Sequence, residues 1–249
     1  MIAGDAFAGQ TAVVTGGTRG IGRALTLSFL EHGARVHATW TGNEAAASAL
    51  ADEAARHAGR LVLHRFDVVD EIAVERFWSG LESEPDGVQI LVNNAGIRRD
   101  QIVGTMASSD WRAVLDVNLT GSFLMAKQAV RSMLPRKYGR IVFVTSPSSL
   151  HGFQGQANYA ASKAGQIGLM RSLAREVGKR KITVNCLSPG FVETELIGDL
   201  SEDVRADHKK MVPLGRLGTT AEIAYAALFL CSREASYVNG TTLEVHGGI

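Results

Sequence analysis

From Thr11 almost to its end the chain alternates between short continuous apolar runs and segments with helical apolar periodicity, and that alternation leaves few folds open. Thr11-Ala-Val-Val-Thr15 reads as a strand buried on both faces. Ile21, Leu25, Ser28 and Phe29 then recur at helical spacing, and His32-Gly33 supplies a glycine stop. The same exchange predicts further strands at 35–39, 61–66, 88–92, 140–145, 183–187 and 241–245. Helices are predicted near 43–57, 70–82, 109–119 and 122–133, through Tyr159, and after the capping box Thr219-Thr-Ala-Glu222. Strands that are apolar throughout belong to a parallel sheet covered on both sides. The expected fold class is therefore α/β: a doubly wound, Rossmann-type parallel sheet in three α/β/α layers, one domain over residues 1–249. The stretch 189–213 exceeds an ordinary connection and reads as an irregular lid or binding loop.

Composition narrows the function classes. Lys plus Arg number 26 and Asp plus Glu 25, a balance that argues against a nucleic-acid or membrane-surface binder, each of which needs an electropositive footprint. The two cysteines, Cys186 and Cys231, fall in a strand and an apolar helix and form no disulfide framework. No basic segment followed by an apolar core opens the chain, and no 18 apolar residues run together, so a cytoplasmic protein without a membrane partner is expected.

Thr15-Gly16-Gly-Thr18-Arg19-Gly20-Ile21-Gly22 lies between the first strand and the first helix, where a dinucleotide pyrophosphate binds on backbone N–H groups. The second strand ends without the carboxylate that would hold a ribose 2′-hydroxyl, while Arg19 and Thr41 can meet a 2′-phosphate; NADP(H) is the expected cofactor. Asp67 and Val68 follow the third strand, where the carboxylate can accept from the adenine amino group. Asn94, Ala95 and Gly96 follow the fourth, on the carboxyl edge where ligands bind in such sheets. In the run from Pro189 and Gly190, the backbone of Val192 and the hydroxyl of Thr194 could hold a nicotinamide carboxamide.

Tyr159 and Lys163 stand one helical turn apart, so phenol and ammonium share a face. A nearby ammonium favours phenolate and should bring the tyrosine toward working pH, which makes an acid catalyst. Ser146 lies thirteen residues upstream, just beyond a predicted strand. Taken in order, TGGTRGIG, NNAG, Ser146 with Tyr159-x-x-x-Lys163, and the Pro189-Gly190 motif make the whole chain resemble a short-chain dehydrogenase/reductase. Asn94-Ala-Gly-Ile-Arg-Arg-Asp100, Gly155-Gln-Ala-Asn-Tyr159, Ile182-Thr-Val-Asn185 and Gly215-Arg-Leu-Gly218 are most similar to the 3-oxoacyl-(acyl-carrier-protein) reductases within that family.

The resemblance implies NADPH, a homotetramer, and a catalytic set of Asn118, Ser146, Tyr159 and Lys163. In it Tyr159 would donate the proton, Ser146 would hydrogen-bond the carbonyl oxygen, Lys163 would hold the nicotinamide ribose, and Asn118 would hold a relay water. It also implies a carrier-protein partner, for which Lys137 and Arg180 fall where the family places docking arginines. Pro147, His151 and His246 depart from the family pattern and leave substrate and assembly open. A reductase of a free small ketone, sugar or cyclic alcohol is the alternative; a nucleotide-sensing regulator without turnover is a third.

Overall fold

The computed structural model describes residues 2–57, 59–84, 86–195 and 202–249. Among the described residues seven strands lie in one parallel sheet of order β3-β2-β1-β4-β5-β6-β7. They are β1 (Thr11–Val14), β2 (Arg35–Trp40), β3 (Leu61–Arg65), β4 (Ile90–Asn93), β5 (Gly139–Val144), β6 (Ile182–Pro189) and β7 (Thr242–Val245). The order reverses between β1 and β4, which opens a crevice at their carboxyl ends.

Alternating strand residues serve opposite layers, as the period of two requires. Ala12 and Val14, Ile90 and Val92, and Val142 and Val144 pack with α1 (Gly20–Glu31), α2 (Glu44–Ala54) and the last helix, Thr220–Cys231. Val13, Leu91, Ile141 and Phe143 pack with α3 (Glu71–Gly80), α5 (Ser122–Arg136) and α7 (Ala157–Val177). Phe143 is fully buried, and its truncation to Ala should cost about 3–5 kcal/mol.

The sequence-based boundaries need three corrections. The helices expected at 109–119 and 122–133 are one continuous rod: α4 (Ser108–Leu115) runs through a π-helical turn, Asp116–Gly121, into α5. A one-turn helix α6 (Ser148–His151) follows β5 unannounced. The stretch 189–213 is not irregular throughout, since α8 (Glu202–Met211) lies in it; residues 196–201 fall outside the described chain. The last helix is α9. Among the described residues no helix is long and apolar enough to cross a membrane.

Candidate active site

The β1–α1 loop is shaped by close approach. Gly16 takes a left-handed φ of +61°, and a side chain on Gly22 would collide with the Gly16 carbonyl. α2, α3 and α9 are capped by the side chains of Asn43, Asp70 and Thr219, but Arg19 gives α1 no side-chain cap. The first N–H groups of a twelve-residue helix are thereby left for an anion, which fits a dinucleotide phosphate. Gly20 approaches Thr194, 3.6 Å from its methyl to a Cβ placed on the glycine, and the two line an open cavity of ≈ 380 Å³ with Arg23 and Arg205.

Asn94 has a different part from the one its position suggested. Its Nδ2 donates to the carbonyls of Thr15 (3.0 Å) and Gly16 (3.1 Å), and the N–H groups of Asn94 and Ala95 both donate to Thr15 Oγ1 (2.9 Å each). The end of β4 thus clamps the glycine loop, and neither amide hydrogen of Asn94 is spare. Thr18 is buried in the same loop, and Ile21 is partly buried at the head of α1.

At the outer end of the crevice Asp67 is exposed and accepts from the Val69 N–H (3.2 Å), while Val68 packs beneath Gly121. Thr41 and Arg19 are exposed. Arg65, which sequence reading missed, pairs in register with Trp40, lies 5.1 Å over its ring and donates to the Thr41 carbonyl (3.2 Å). Its signal was available: a cation at the carboxyl end of β3 must lie beside the end of β2.

Ser146 follows β5, and α7 presents Tyr159 and Lys163. Lys163 is buried; its Nζ donates to the Val144 carbonyl (2.7 Å) and lies 5.5 Å from the Tyr159 ring centre. Burial pushes its ammonium down to about 8. Burial likewise pushes the Tyr159 phenol above the ordinary tyrosine value, against the pull of Arg98 and the neighbouring Ser146. The lowering expected from Lys163 is outweighed in this arrangement, where burial of the phenol is the largest influence on it.

The π-helical turn directs Asn118, fully buried, toward the loop after β4. Its Oδ1 accepts from the Ile97 N–H (2.8 Å), and its Nδ2 donates to the Ile97 carbonyl (3.1 Å) and Ser162 Oγ (3.0 Å). Its own carbonyl accepts from Ser122 Oγ and Gln166 Nε2, 2.7 Å each, and is saturated. Gly96 keeps open the space between Asn118 Oδ1 and Lys163 Nζ, 3.2 and 3.6 Å from a Cβ placed there.

The far wall comes from the Pro189-Gly190 segment and α8. Gly190 lies against His246, whose Cα would stand 2.7 Å from a Cβ placed on the glycine, and Val192 is buried between backbone bonds that tie Phe191 and Glu193 to Gly218 (2.8 Å each). His208 of α8 stacks on Phe191, ring centres 4.1 Å apart, and Phe153 stands 6.0 Å from the same ring. His151 is exposed at the end of α6.

The family model described as enoyl-(acyl carrier protein) reductase matches residues 16–249. The chain is 44% identical over 243 residues to the 3-oxoacyl-[acyl-carrier-protein] reductase of Escherichia coli, covering 98% of each chain. It is 41% identical over 243 residues to the enzyme of that description from Aquifex aeolicus, covering 97% of each. A solved structure described as a candidate gluconate dehydrogenase from Agrobacterium tumefaciens superposes with a TM-score of 0.91 at 31% identity, covering 97% of this chain and 96% of that one. With the glycine loop, Ser146, Tyr159 and Lys163 arranged along one sheet edge, the chain belongs to the short-chain dehydrogenase/reductase family.

Proposed function

We propose that this protein reduces the ketone of a 3-oxoacyl thioester, presented by an acyl carrier protein, to the 3-hydroxyacyl thioester with NADPH as reductant. The observation that carries this reading is the placement of Tyr159 and Lys163 together on α7 across from Ser146 at the end of β5, next to an uncapped helix N-terminus. The substrate class comes from relatives above 40% identity, which are 3-oxoacyl-[acyl-carrier-protein] reductases.

Backbone groups of Gly16, Thr18, Gly20, Ile21 and Gly22 would hold the pyrophosphate, and Asp67 and Val68 the adenine. Arg19 and Thr41, with Arg65 beside Thr41, would hold the 2′-phosphate. Ala95, Gly96, Tyr159 and Lys163 would bound the nicotinamide ribose, and Pro189, Gly190, Val192 and Thr194 the carboxamide. When bound, NADPH supplies a hydride to the ketone carbon. Negative charge then develops on the ketone oxygen. Tyr159 donates its proton there, and Ser146 hydrogen-bonds the same atom, so two donors act where charge appears. Lys163 has N–H groups beyond the one given to Val144, and Asn118 Oδ1 has a spare lone pair, so a relay water would sit in the gap that Gly96 leaves. We further propose a cytoplasmic homotetramer.

The test is a panel following NADPH oxidation with a 3-oxoacyl carrier-protein substrate, the CoA thioester, an enoyl thioester and free ketones. The carrier-protein ketone should have the highest kcat/KM, and NADPH should exceed NADH. Preference for a sugar acid or polyol would replace this reading with a free-sugar dehydrogenase, the second reading, which the 31% identical structure favours.

A further inference from the structure

Two loops meet in front of Tyr159: the one after β4 and the one between β5 and α7, joined where Gln101 N–H donates to the Gly155 carbonyl (2.8 Å). Within that join runs a continuous chain of side-chain hydrogen bonds. Ser146 Oγ donates to Ser148 Oγ (3.2 Å), Ser148 Oγ to Gln156 Oε1 (2.9 Å), and Gln156 Nε2 to Asp100 Oδ2 (3.1 Å). Asp100 is gripped by Arg98, whose Nε donates to Oδ1 (3.3 Å) and whose terminal nitrogen pairs with Oδ2. The Arg98 guanidinium lies 5.9 Å from the Tyr159 ring centre. The network runs from the Ser146 hydroxyl to a guanidinium beside the Tyr159 ring.

Its polarity follows from the carboxylate, which can only accept. Asp100 turns the Gln156 amide nitrogen toward itself, which leaves Gln156 Oε1 to accept from Ser148. The Ser148 proton is then committed, and its oxygen receives the Ser146 proton until a ketone oxygen takes its place, when Ser146 turns that proton to the substrate. Ser146 Oγ also accepts from the Ser148 N–H (3.2 Å), so its rotor is set from two sides. Gln156 stands at the N-cap position of α7 and makes no cap, so its side chain is left for this bridge.

We propose that the Arg98–Asp100 ion pair is the positioning device for both catalytic hydroxyls, the guanidinium acting through space on the Tyr159 phenol and the carboxylate acting through Gln156 and Ser148 on the Ser146 rotor. The inference rests on the reductase reading of this site and assigns four residues that reading does not use. Among the described residues the charged groups around the phenol are Lys163 on its own helix and Arg98 and Asp100 on the loop after β4; Arg98 opposes the protonation of His208 of α8. Arg98 pulls Tyr159 down and Asp100 pushes it up, so the two halves of the pair oppose each other.

The test titrates the Tyr159 phenol in purified protein without substrate, by ultraviolet difference absorbance after a rapid pH jump, with Tyr159→Phe as the blank. Arg98→Gln should move the titration up and Asp100→Asn should move it down, each by about half to one pH unit. Arg98→Lys, which keeps the charge, should stay near wild type. Ser148→Ala and Gln156→Leu should leave the titration in place while lowering kcat several-fold with the NADPH KM unchanged. Movement of Arg98→Gln and Asp100→Asn in the same direction, or of neither, would overturn the guanidinium arm. Wild-type kcat in both Ser148→Ala and Gln156→Leu would overturn the carboxylate arm. Thermal unfolding checks that each variant is folded, and if Arg98→Gln is not, Asp100→Asn against Arg98→Lys still decides. A wild-type protein that reduces no 3-oxoacyl thioester would overturn the substrate reading alone, because the titration uses no substrate.

Discussion

Lys163 and Tyr159 divide their labour by burial. Both lose water; the lysine is pushed toward neutrality and the tyrosine is pushed to keep its proton. Tyr159→Phe should therefore leave fold and NADPH binding intact and cut turnover by about 10²–10⁴-fold, the scale of a positioned general acid, in a steady-state assay. Near-normal kcat would move the proton source elsewhere. Arg19 is exposed beside the uncapped start of α1, so Arg19→Ala should weaken NADPH by roughly 1.5–3 kcal/mol and barely change NADH, measured by titration calorimetry. Equal losses would remove Arg19 from the 2′-phosphate. At this scale Ser146, Tyr159 and Lys163 could be read from spacing, because one helical turn and one strand end fix their relation. Arg98 and the inward turn of Asn94 could not, because each depends on a loop or strand far away in sequence.

Elements were legible where apolar residues keep a period and lost where they do not. α8 reads Glu202-Asp-Val-Arg-Ala-Asp-His-Lys-Lys-Met211, polar on nearly every face, and its position rests on His208 stacking over Phe191 rather than on an apolar stripe. The π-helical turn leaves no periodic mark, yet it aims Asn118 at Ile97. The pairing of β2 with β3 hides a titratable pair. His37 Nδ1 and His64 Nε2 stand 2.9 Å apart, and His37 Nε2 lies 3.2 Å from Glu84. Burial first, then His64 and Arg35, push His37 down to about 4 against the pull of Glu84, and burial lowers His64. The folded state thus holds both neutral, while an unfolded histidine takes up a proton near pH 6.5. Stability from this pair is full above about 6.5 and is lost as pH falls toward 4, because the unfolded chain then binds more protons. The urea midpoint should be level from pH 7 to 8 and drop below 6.5, by about 1–3 kcal/mol in stability. His37→Asn should flatten that slope relative to wild type; an unchanged slope would place the acid sensitivity in other groups.

The whole molecule sets the harder question of how a carrier protein reaches the site. Lys137 and Arg180 precede β5 and β6, whereas Ser146 and Pro189 end them, so the two cations lie on the opposite edge of the sheet from this chain's own Tyr159. The rise of α7 alone separates Tyr159 from Arg180 by on the order of 30 Å. Lys137 and Arg180 therefore do not flank this chain's own active-site mouth; in the proposed homotetramer they would steer a carrier toward the site of a neighbouring subunit. Met125, Ile167 and Met170 are core residues, but Trp111 and Phe123 on the α4–α5 rod are 39% and 45% exposed, apolar area that a homotetramer would cover. Trp111→Glu with Phe123→Glu should accordingly lower the sedimentation coefficient at micromolar concentration. In the assembled protein, Lys137→Glu with Arg180→Glu should raise KM several-fold for an acidic carrier-protein substrate and flatten its salt dependence, with the CoA thioester unaffected. In the dissociated protein the same reversal should do nothing, because no neighbouring site remains beside the two cations. An equal effect on carrier-protein and CoA substrates, or an effect that survives dissociation, would show that Lys137 and Arg180 do not form a docking surface across subunits.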